Sequence, residues 1–146
     1  MEEYVNICRE LEKRYLRATM WERQFIRSFI HRVFDQEKPP TQRMLEVANK
    51  IIRKYSEEEA KEFEEYIFKA SIVAFLGKYK VYYKLYEICE NIRTKAMYGG
   101  FRLSPKQKKV IDLAIKQLRG KLSKEDLERR YCILWKSVKV GDIVGD

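Results

Sequence analysis

Residues 56–92 read SEEEAKEFEEYIFKASIVAFLGKYKVYYKLYEICENI, and their spacing decides the fold class. Phe63, Ile67, Ala70, Ala74, Gly77, Val81, Leu85, Ile88 and Ile92 recur at alternating three- and four-residue steps, the period of a helix face and not of a strand. The pattern predicts one long helix across the stretch, with a kink at Gly77. Ser56-Glu57-Glu58-Glu59 has the form of a capping box, and its acids suit the positive end of the helix dipole. Nearly every position over 71–76 is apolar, so this turn is expected in the middle of the core.

Upstream, Tyr4, Ile7, Cys8, Leu11 and Tyr15 give an amphipathic helix over 2–17. Thr19-Met20-Trp21-Glu22 is a second capping box. It opens a helix whose apolar set, Trp21, Phe25, Ile26, Phe29, Ile30 and Val33, is wide enough to be largely covered, with Arg23, Arg27 and Arg32 expected to face solvent. Lys38-Pro39-Pro40 ends that helix, because proline cannot continue the hydrogen-bond ladder. Residues 41–55 form a third, with Met44, Leu45, Ala48, Ile51, Ile52 and Tyr55 inward. Downstream, Gly99-Gly100 breaks the pattern, and Ser104-Pro105-Lys106-Gln107 combines a cap, a first-turn proline and a reciprocal Gln. Ser123 caps a sixth helix carrying Leu127, Tyr131, Leu134, Trp135 and Val138. The expected fold is an all-α, single-domain bundle of about six helices with one long central helix, spanning 1–138, with 139–146 as a short C-terminal tail. Pro40-x-Gln42-x-x-Leu45 and Pro105-x-Gln107-x-x-Val110 each begin a helix, which raises an internal duplication; downstream, the two copies need a one-residue shift to stay aligned.

A chain of 146 residues with 45% hydrophobic and 36% charged residues, three prolines and six glycines is expected to form a compact core. Cys8, Cys89 and Cys132 are odd in number and far apart, which speaks against a disulfide framework or a zinc site. Met1-Glu2-Glu3 is not a charged-then-apolar leader, and no apolar run approaches the roughly 20 residues of a membrane span, so no membrane contact and a cytoplasmic setting are expected.

The formal charge of +9 is concentrated. Residues 78–109 hold nine cations (Lys78, Lys80, Lys84, Arg93, Lys95, Arg102, Lys106, Lys108 and Lys109) against Glu87 and Glu90, a local excess of +7. Tyr79, Tyr82, Tyr83, Tyr86, Tyr98 and Phe101 are interleaved with them, and cations alternating with aromatic faces suit a polyanion whose bases can stack. Helical periodicity alone leaves open whether Tyr79, Tyr82, Tyr83 and Tyr86 are half-buried core residues or surface ones. The phosphate candidates are Lys80, Lys84, Arg93, Lys95, Arg102, Lys106, Lys108 and Lys109. Tyr98 and Phe101, in a loop beyond the helical stripe, are the expected stackers, and the amino-terminal amides of the helix after Ser104 add a further anion site.

Signs of catalysis are few. His31 is the only histidine and has no metal-ligand neighbour at helical spacing. Glu57, Glu58, Glu59, Glu62, Glu64 and Glu65 lack the E-x-x-H pairs of a di-metal bundle. Gly99-Gly100-Phe101-Arg102 lacks the G-x-x-x-x-G-K-[ST] frame of a phosphate loop. No enzymatic activity and no cofactor are expected.

Two local resemblances point the same way as the charge. Leu103-Ser104-Pro105-Lys106-Gln107-Lys108-Lys109-Val110-Ile111-Asp112-Leu113-Ala114, followed by Leu122-Ser123-Lys124-Glu125-Asp126-Leu127, resembles the first two helices of sigma-type helix-turn-helix domains, which implies DNA contact through a following helix. Phe63-Glu64-Glu65-Tyr66-Ile67-Phe68-Lys69-Ala70-Ser71-Ile72-Val73-Ala74-Phe75 is similar to a segment of the small helical subunits of CRISPR ribonucleoprotein effectors. That likeness implies a basic, non-catalytic bundle lining a nucleic-acid path beside other protein subunits. The combined expectation is a nucleic-acid-binding helical module (DNA or RNA, largely sequence-independent) within a larger nucleoprotein complex. Alternatives are a protein-interaction or inhibitory module that docks an acidic partner or forms a homo-oligomer through the long helix, and a helix-turn-helix regulator.

Overall fold

The computed structural model describes residues 1–119 and Lys121. They form six α-helices: α1 (Glu2–Lys13), α2 (Met20–Ile30), α3 (Gln42–Lys54), α4 (Glu57–Leu76), α5 (Tyr83–Met97) and α6 (Pro105–Leu118). A π-helical turn, His31–Asp35, continues α2. Among the described residues there is no strand, and no helix is long and apolar enough to cross a membrane. The all-α class and the number of helices agree with expectation, but the six are not the same six. The expected helix over 123–138 and the tail lie outside the described residues, and the stretch 56–92 supplies two helices.

That division has a local cause. A Cβ on Gly77 would lie 2.5 Å from the Val73 carbonyl oxygen, so only glycine lets the last turn of α4 close as it does. The Gly77 carbonyl then accepts from the amides of Lys80 (2.8 Å) and Val81 (3.1 Å), which reverses the chain before α5 begins. Of the predicted seam, Phe63, Ile67 and Ala70 are buried on α4, Leu85 and Ile92 on α5, and Gly77 and Val81 in the turn between them, while Ile88 is 36% exposed. At 20 residues α4 is still the longest helix described.

The described residues divide into two compact units, Met1–Glu64 with Ala96–Arg102, and Glu65–Lys95 with those from Leu103 onward. In the first, α1, α2, the π-turn and α3 close around Leu11, Ile26, Phe29, Val33, Ala48 and Ile51. Of the three expected capping boxes, those at Thr19 and Ser104 form both arms, whereas at Ser56 the serine arm forms and the Glu59 carboxylate pairs with Arg17. The Thr19 hydroxyl accepts from the Glu22 amide (3.2 Å), and the Glu22 carboxylate accepts from the Thr19 amide (2.9 Å). Thr41 caps α3 by accepting from the Met44 amide, and the Ser56 hydroxyl accepts from the Glu59 amide at the start of α4.

Arg23 overturns its expected place on the solvent side, being only 6% exposed. Its guanidinium donates to four carbonyls: Tyr15 (3.0 Å) and Leu16 (2.5 Å) in the turn after α1, and Ala96 (2.8 Å) and Met97 (2.9 Å) at the end of α5. Helix ends leave carbonyls without intrahelical donors, and the planar fork of arginine can serve several at once. Arg14 does the same for α3: its Nε donates to the carbonyl of Tyr55, the C-cap residue (2.7 Å), while Nη1 pairs with the Glu10 carboxylate (2.9 Å). A third buried charge, Glu22, accepts from the Tyr55 hydroxyl (2.7 Å) and from Lys54 Nζ (3.1 Å). The loop after α5 docks on the same unit, with the Gly100 amide donating to the Ala18 carbonyl (3.0 Å).

In the second unit α4, α5 and α6 bury Ile72, Val73, Cys89, Ile92, Ile111 and Leu118. The Tyr66 hydroxyl donates to Asp112 (3.0 Å), joining α4 to α6, and the Tyr82 amide donates to Gln117 Oε1 (2.8 Å), fixing the entry of α5 on α6. The helix expected after Ser104 is α6, with both arms of its capping box formed and Pro105 in its first turn. Pro40, by contrast, precedes the Thr41 cap. The two Pro-x-Gln segments therefore occupy different cap positions. Aligned cap to cap instead, buried Ala48, Ile51 and Tyr55 fall opposite buried Ile111, Ala114 and Leu118.

Candidate nucleic-acid interface

The charge is unequally shared between the two units. Met1–Glu64 and Ala96–Arg102 contain 14 Lys and Arg against 13 acids, close to neutrality. Many of those charges neutralise one another, as in Lys13 with Glu10 (3.3 Å) and Glu57 (3.2 Å), Arg17 with Glu59 (3.3 Å), and Lys54 with Glu22 (3.1 Å). The described residues of the second unit contain 12 Lys and Arg against Glu65, Glu87, Glu90 and Asp112, a net +8. Nearly the whole formal charge of the chain lies there.

The ten candidate residues divide accordingly. Lys80, Lys84, Arg93, Lys95, Lys106, Lys108 and Lys109 belong to the second unit; Tyr98, Phe101 and Arg102 belong to the first. Lys80 and Lys84 are exposed at the turn after α4 and the first turn of α5. Lys106, Lys108 and Lys109 fill the first turns of α6, where the capping box and Pro105 set the helix start. Lys106 and Lys109 are exposed, while Lys108 is half-buried, with Nζ 5.9 Å from the centroid of the Tyr66 ring. Lys69 approaches the same ring at 5.4 Å. Arg93 is also half-buried: its guanidinium lies 4.5 Å from the Phe75 ring centroid, and its buried Nε has no hydrogen-bond partner. Lys95 is exposed near the end of α5.

In the first unit Tyr98 is 68% exposed and Arg102 is exposed. Phe101 is half-buried, its ring meeting that of Phe63 edge-on at 6.4 Å. Of the two expected stackers, Tyr98 presents an open face and Phe101 packs.

Three of the four tyrosines left open by periodicity are surface residues. Tyr79 is 93% exposed, Tyr83 62% and Tyr82 57%, and the rings of Tyr82 and Tyr83 meet edge-on at 6.3 Å. Tyr86 is half-buried. Its hydroxyl is held above the ordinary tyrosine pKa by desolvation first and then by the Glu90 carboxylate. The turn at 77–82 explains the exposure, because it takes Tyr79 off any continuous helix face. Lys78, part of the basic stretch 78–109, and Lys116, Arg119 and Lys121, which lie beyond it, add to the charge of this unit; the last three carry no motif, and the only signal that could have found them is local charge density.

No family model, curated protein or solved structure matches the chain. The reading of this surface therefore rests on its own chemistry. His31, the only histidine, places Nδ1 2.6 Å from Asp35 Oδ2 on the exposed side of the π-turn. Among the described residues no three His, Cys, Asp or Glu side chains are gathered as a metal site would gather them. What the second unit offers is fixed positive charge and open aromatic rings.

Proposed function

We propose that this chain is a non-enzymatic nucleic-acid-binding helical module that works as a subunit of a larger nucleoprotein complex. The observation carrying the proposal is the partition of charge, with +8 on the described residues of the second unit and near-neutrality in the first. Lysines in such excess cannot all be paired by four acids, and a surface of that kind concentrates polyanions and gains affinity by releasing their counterions. Lys80, Lys84, Lys95, Lys106 and Lys109 contact phosphates in this reading, and little of the affinity comes from base edges. Contact with other protein subunits is supported by Trp21 in the first unit, 61% exposed and stacked on Phe25 at 5.9 Å. A cytoplasmic setting is part of the same reading and is supported by the free thiols of Cys8 and Cys89.

The test is a salt titration of binding to labelled single- and double-stranded oligonucleotides. About five phosphate contacts give a slope of log K against log salt near −4 to −5. The triple variant Lys106→Glu, Lys108→Glu, Lys109→Glu should lower both affinity and slope. Binding that is weak, insensitive to salt and unchanged in the triple variant would remove the proposal.

A further inference from the structure

The turn between α4 and α5 holds an exposed tyrosine in a conformation that its side chain disfavours. Tyr79 has φ +67, in the left-handed region where a bulky side chain is a genuine outlier and costs of the order of 1 kcal/mol or more. Such strain is ordinarily offset by burial or by a hydrogen bond that only that conformation allows. Tyr79 gains little of the first, since 93% of it is exposed, and its ring has the Lys78 ammonium 5.4 Å from its centroid. A glycine in its place would relieve the strain and leave the core intact.

The turn around it is nonetheless held firmly. Gly77 donates to the Val73 carbonyl (2.7 Å) and accepts from the amides of Lys80 and Val81. The side chain of Val81 is buried. Gln117 of α6 accepts the Tyr82 amide, and Lys121 Nζ donates to the Lys80 carbonyl. The supported turn thus carries one strained, open aromatic ring three residues before the edge-on Tyr82 and Tyr83 pair, with exposed Lys78, Lys80 and Lys84 alternating with the tyrosines along the sequence.

Charge selects the kind of occupant and the open rings select its form. Interleaved lysines call for an anion that repeats along a chain, as phosphates do. Open tyrosine faces call for flat partners with exposed faces, and a duplex hides its base faces within the stack, whereas a single strand offers one at every nucleotide. We propose that residues 77–84 form a stacking platform for single-stranded nucleic acid, in which Tyr79 and the Tyr82–Tyr83 pair receive unpaired bases and Lys78, Lys80 and Lys84 hold the intervening phosphates. The inference rests on the nucleic-acid reading above and deepens it by naming the strand state of the ligand and the residues that stack.

The experiment measures fluorescence anisotropy of a labelled mixed-sequence single strand and of its duplex, for the full chain and for Tyr79→Ala, Tyr79→Gly, Tyr79→Phe and the triple α6 variant, with a thermal melt of each. Loss of one stacked base weakens single-strand binding about 5- to 150-fold. Tyr79→Ala and Tyr79→Gly should both show that loss with the salt slope unchanged, because no phosphate contact is removed, while duplex binding stays within about two-fold. Tyr79→Phe keeps the stacking face and should bind as the parent does. Tyr79→Gly should melt at or above the parent temperature, which separates lost stacking from lost folding. If Tyr79→Ala binds the single strand like the parent while the triple variant loses affinity and slope, the platform is overturned and the phosphate reading survives. A parent that binds no nucleic acid overturns both, and equal losses on single strand and duplex overturn the assignment of strand state.

Discussion

Replacing Arg23 by Met tests the inference that a buried guanidinium, and not apolar packing alone, ties the end of α5 to α1 and α2. Methionine keeps an unbranched stem of similar length and removes every donor. Of the four carbonyls that Arg23 serves, those of Tyr15 and Ala96 have a second, longer bond from the amides of Ala18 and Gly99, both 3.3 Å. The cost therefore falls mainly on Leu16 and Met97. A buried acceptor left unserved costs about 1–3 kcal/mol, which puts the loss for two near 2–6 kcal/mol before relaxation. Removing a buried cation returns part of this, since desolvation of the guanidinium opposes folding; its pKa is lowered, first by burial. The net expectation is a destabilisation of about 2–4 kcal/mol, a large share of the 5–15 kcal/mol typical of a domain. Arg23→Lys should do no better, because one ammonium lacks the fork needed to reach carbonyls on two sides and leaves a charge buried. Urea unfolding followed by circular dichroism measures both variants. A change for Arg23→Met within about 0.5 kcal/mol of the parent, or full recovery in Arg23→Lys, would refute the reasoning.

Three further expectations follow from single features. A Cβ at Gly99 would lie 2.6 Å from the Ala18 carbonyl oxygen at φ +78, whereas one at Gly100, at φ +68, would meet only the Thr19 methyl at 3.4 Å. Thermal melts should therefore show Gly99→Ala losing about 2–3 kcal/mol and Gly100→Ala about 1 kcal/mol, and the reverse order would contradict the docking of this loop. Burial pushes Glu22 towards protonation, but hydrogen bonds from Tyr55, Thr19 and Lys54 outweigh it and hold the carboxyl below its ordinary pKa. A carboxyl depressed in the folded state stabilises above its unfolded pKa, and that contribution is lost as pH falls through the folded value. Glu22→Gln should thus be about 1 kcal/mol less stable than the parent at neutral pH, with the difference closing in acid, as urea midpoints across pH would show. Burial pushes the Cys89 thiol up to about 12 and raises that of Cys8 as well. Iodoacetamide at mildly alkaline pH should label neither until denaturant is added, by peptide mass spectrometry; rapid native labelling of Cys89 would place it outside the core.

What could be read from the sequence was what depends on near neighbours. The capping boxes at Thr19 and Ser104 join residues three apart, and both form with two arms. The inward faces of α1, α2 and α3 follow the same logic, because burial repeats with the helical period; Trp21 is the exception, 61% exposed in the first turn of α2 although its spacing places it with the covered set. Arg23 and Arg14 escaped because their partners are backbone carbonyls, up to 74 and 41 residues away. A carbonyl is present at every position and leaves no mark on the sequence, so an arginine that caps a distant helix reads like any solvated one. The break at 77–82 escaped for a different reason. Most seam residues on both sides are buried although the helix does not continue, so periodicity fits the broken and the unbroken chain equally well. Gly77 was the one visible sign. Once the turn is there, Tyr79, Tyr82 and Tyr83 no longer share a stripe with the core, and the ambiguity about them resolves towards the surface.

The charge reading, unlike the tyrosine reading, does not depend on where side chains point. If each of the four acids in the described second unit neutralised one cation, eight positive charges would still exceed them, and one of those acids, Asp112, already accepts from the Tyr66 hydroxyl. Residues 122–146 cannot shift this balance, because they contain five cations and five acids. In the first unit the same residue types are committed to the fold: Arg14 and Arg23 to helix carbonyls, and Arg17 to Glu59 and to the rings of Tyr55 and Phe63. Total charge therefore overstates what the first unit can offer a polyanion and describes the second well. Arginines predominate where cations are buried, and lysines predominate where they exceed the acids. That division follows from the two side chains themselves, since a planar, weakly hydrated fork suits fixed carbonyls and a strongly hydrated, flexible ammonium suits phosphates met at varied angles.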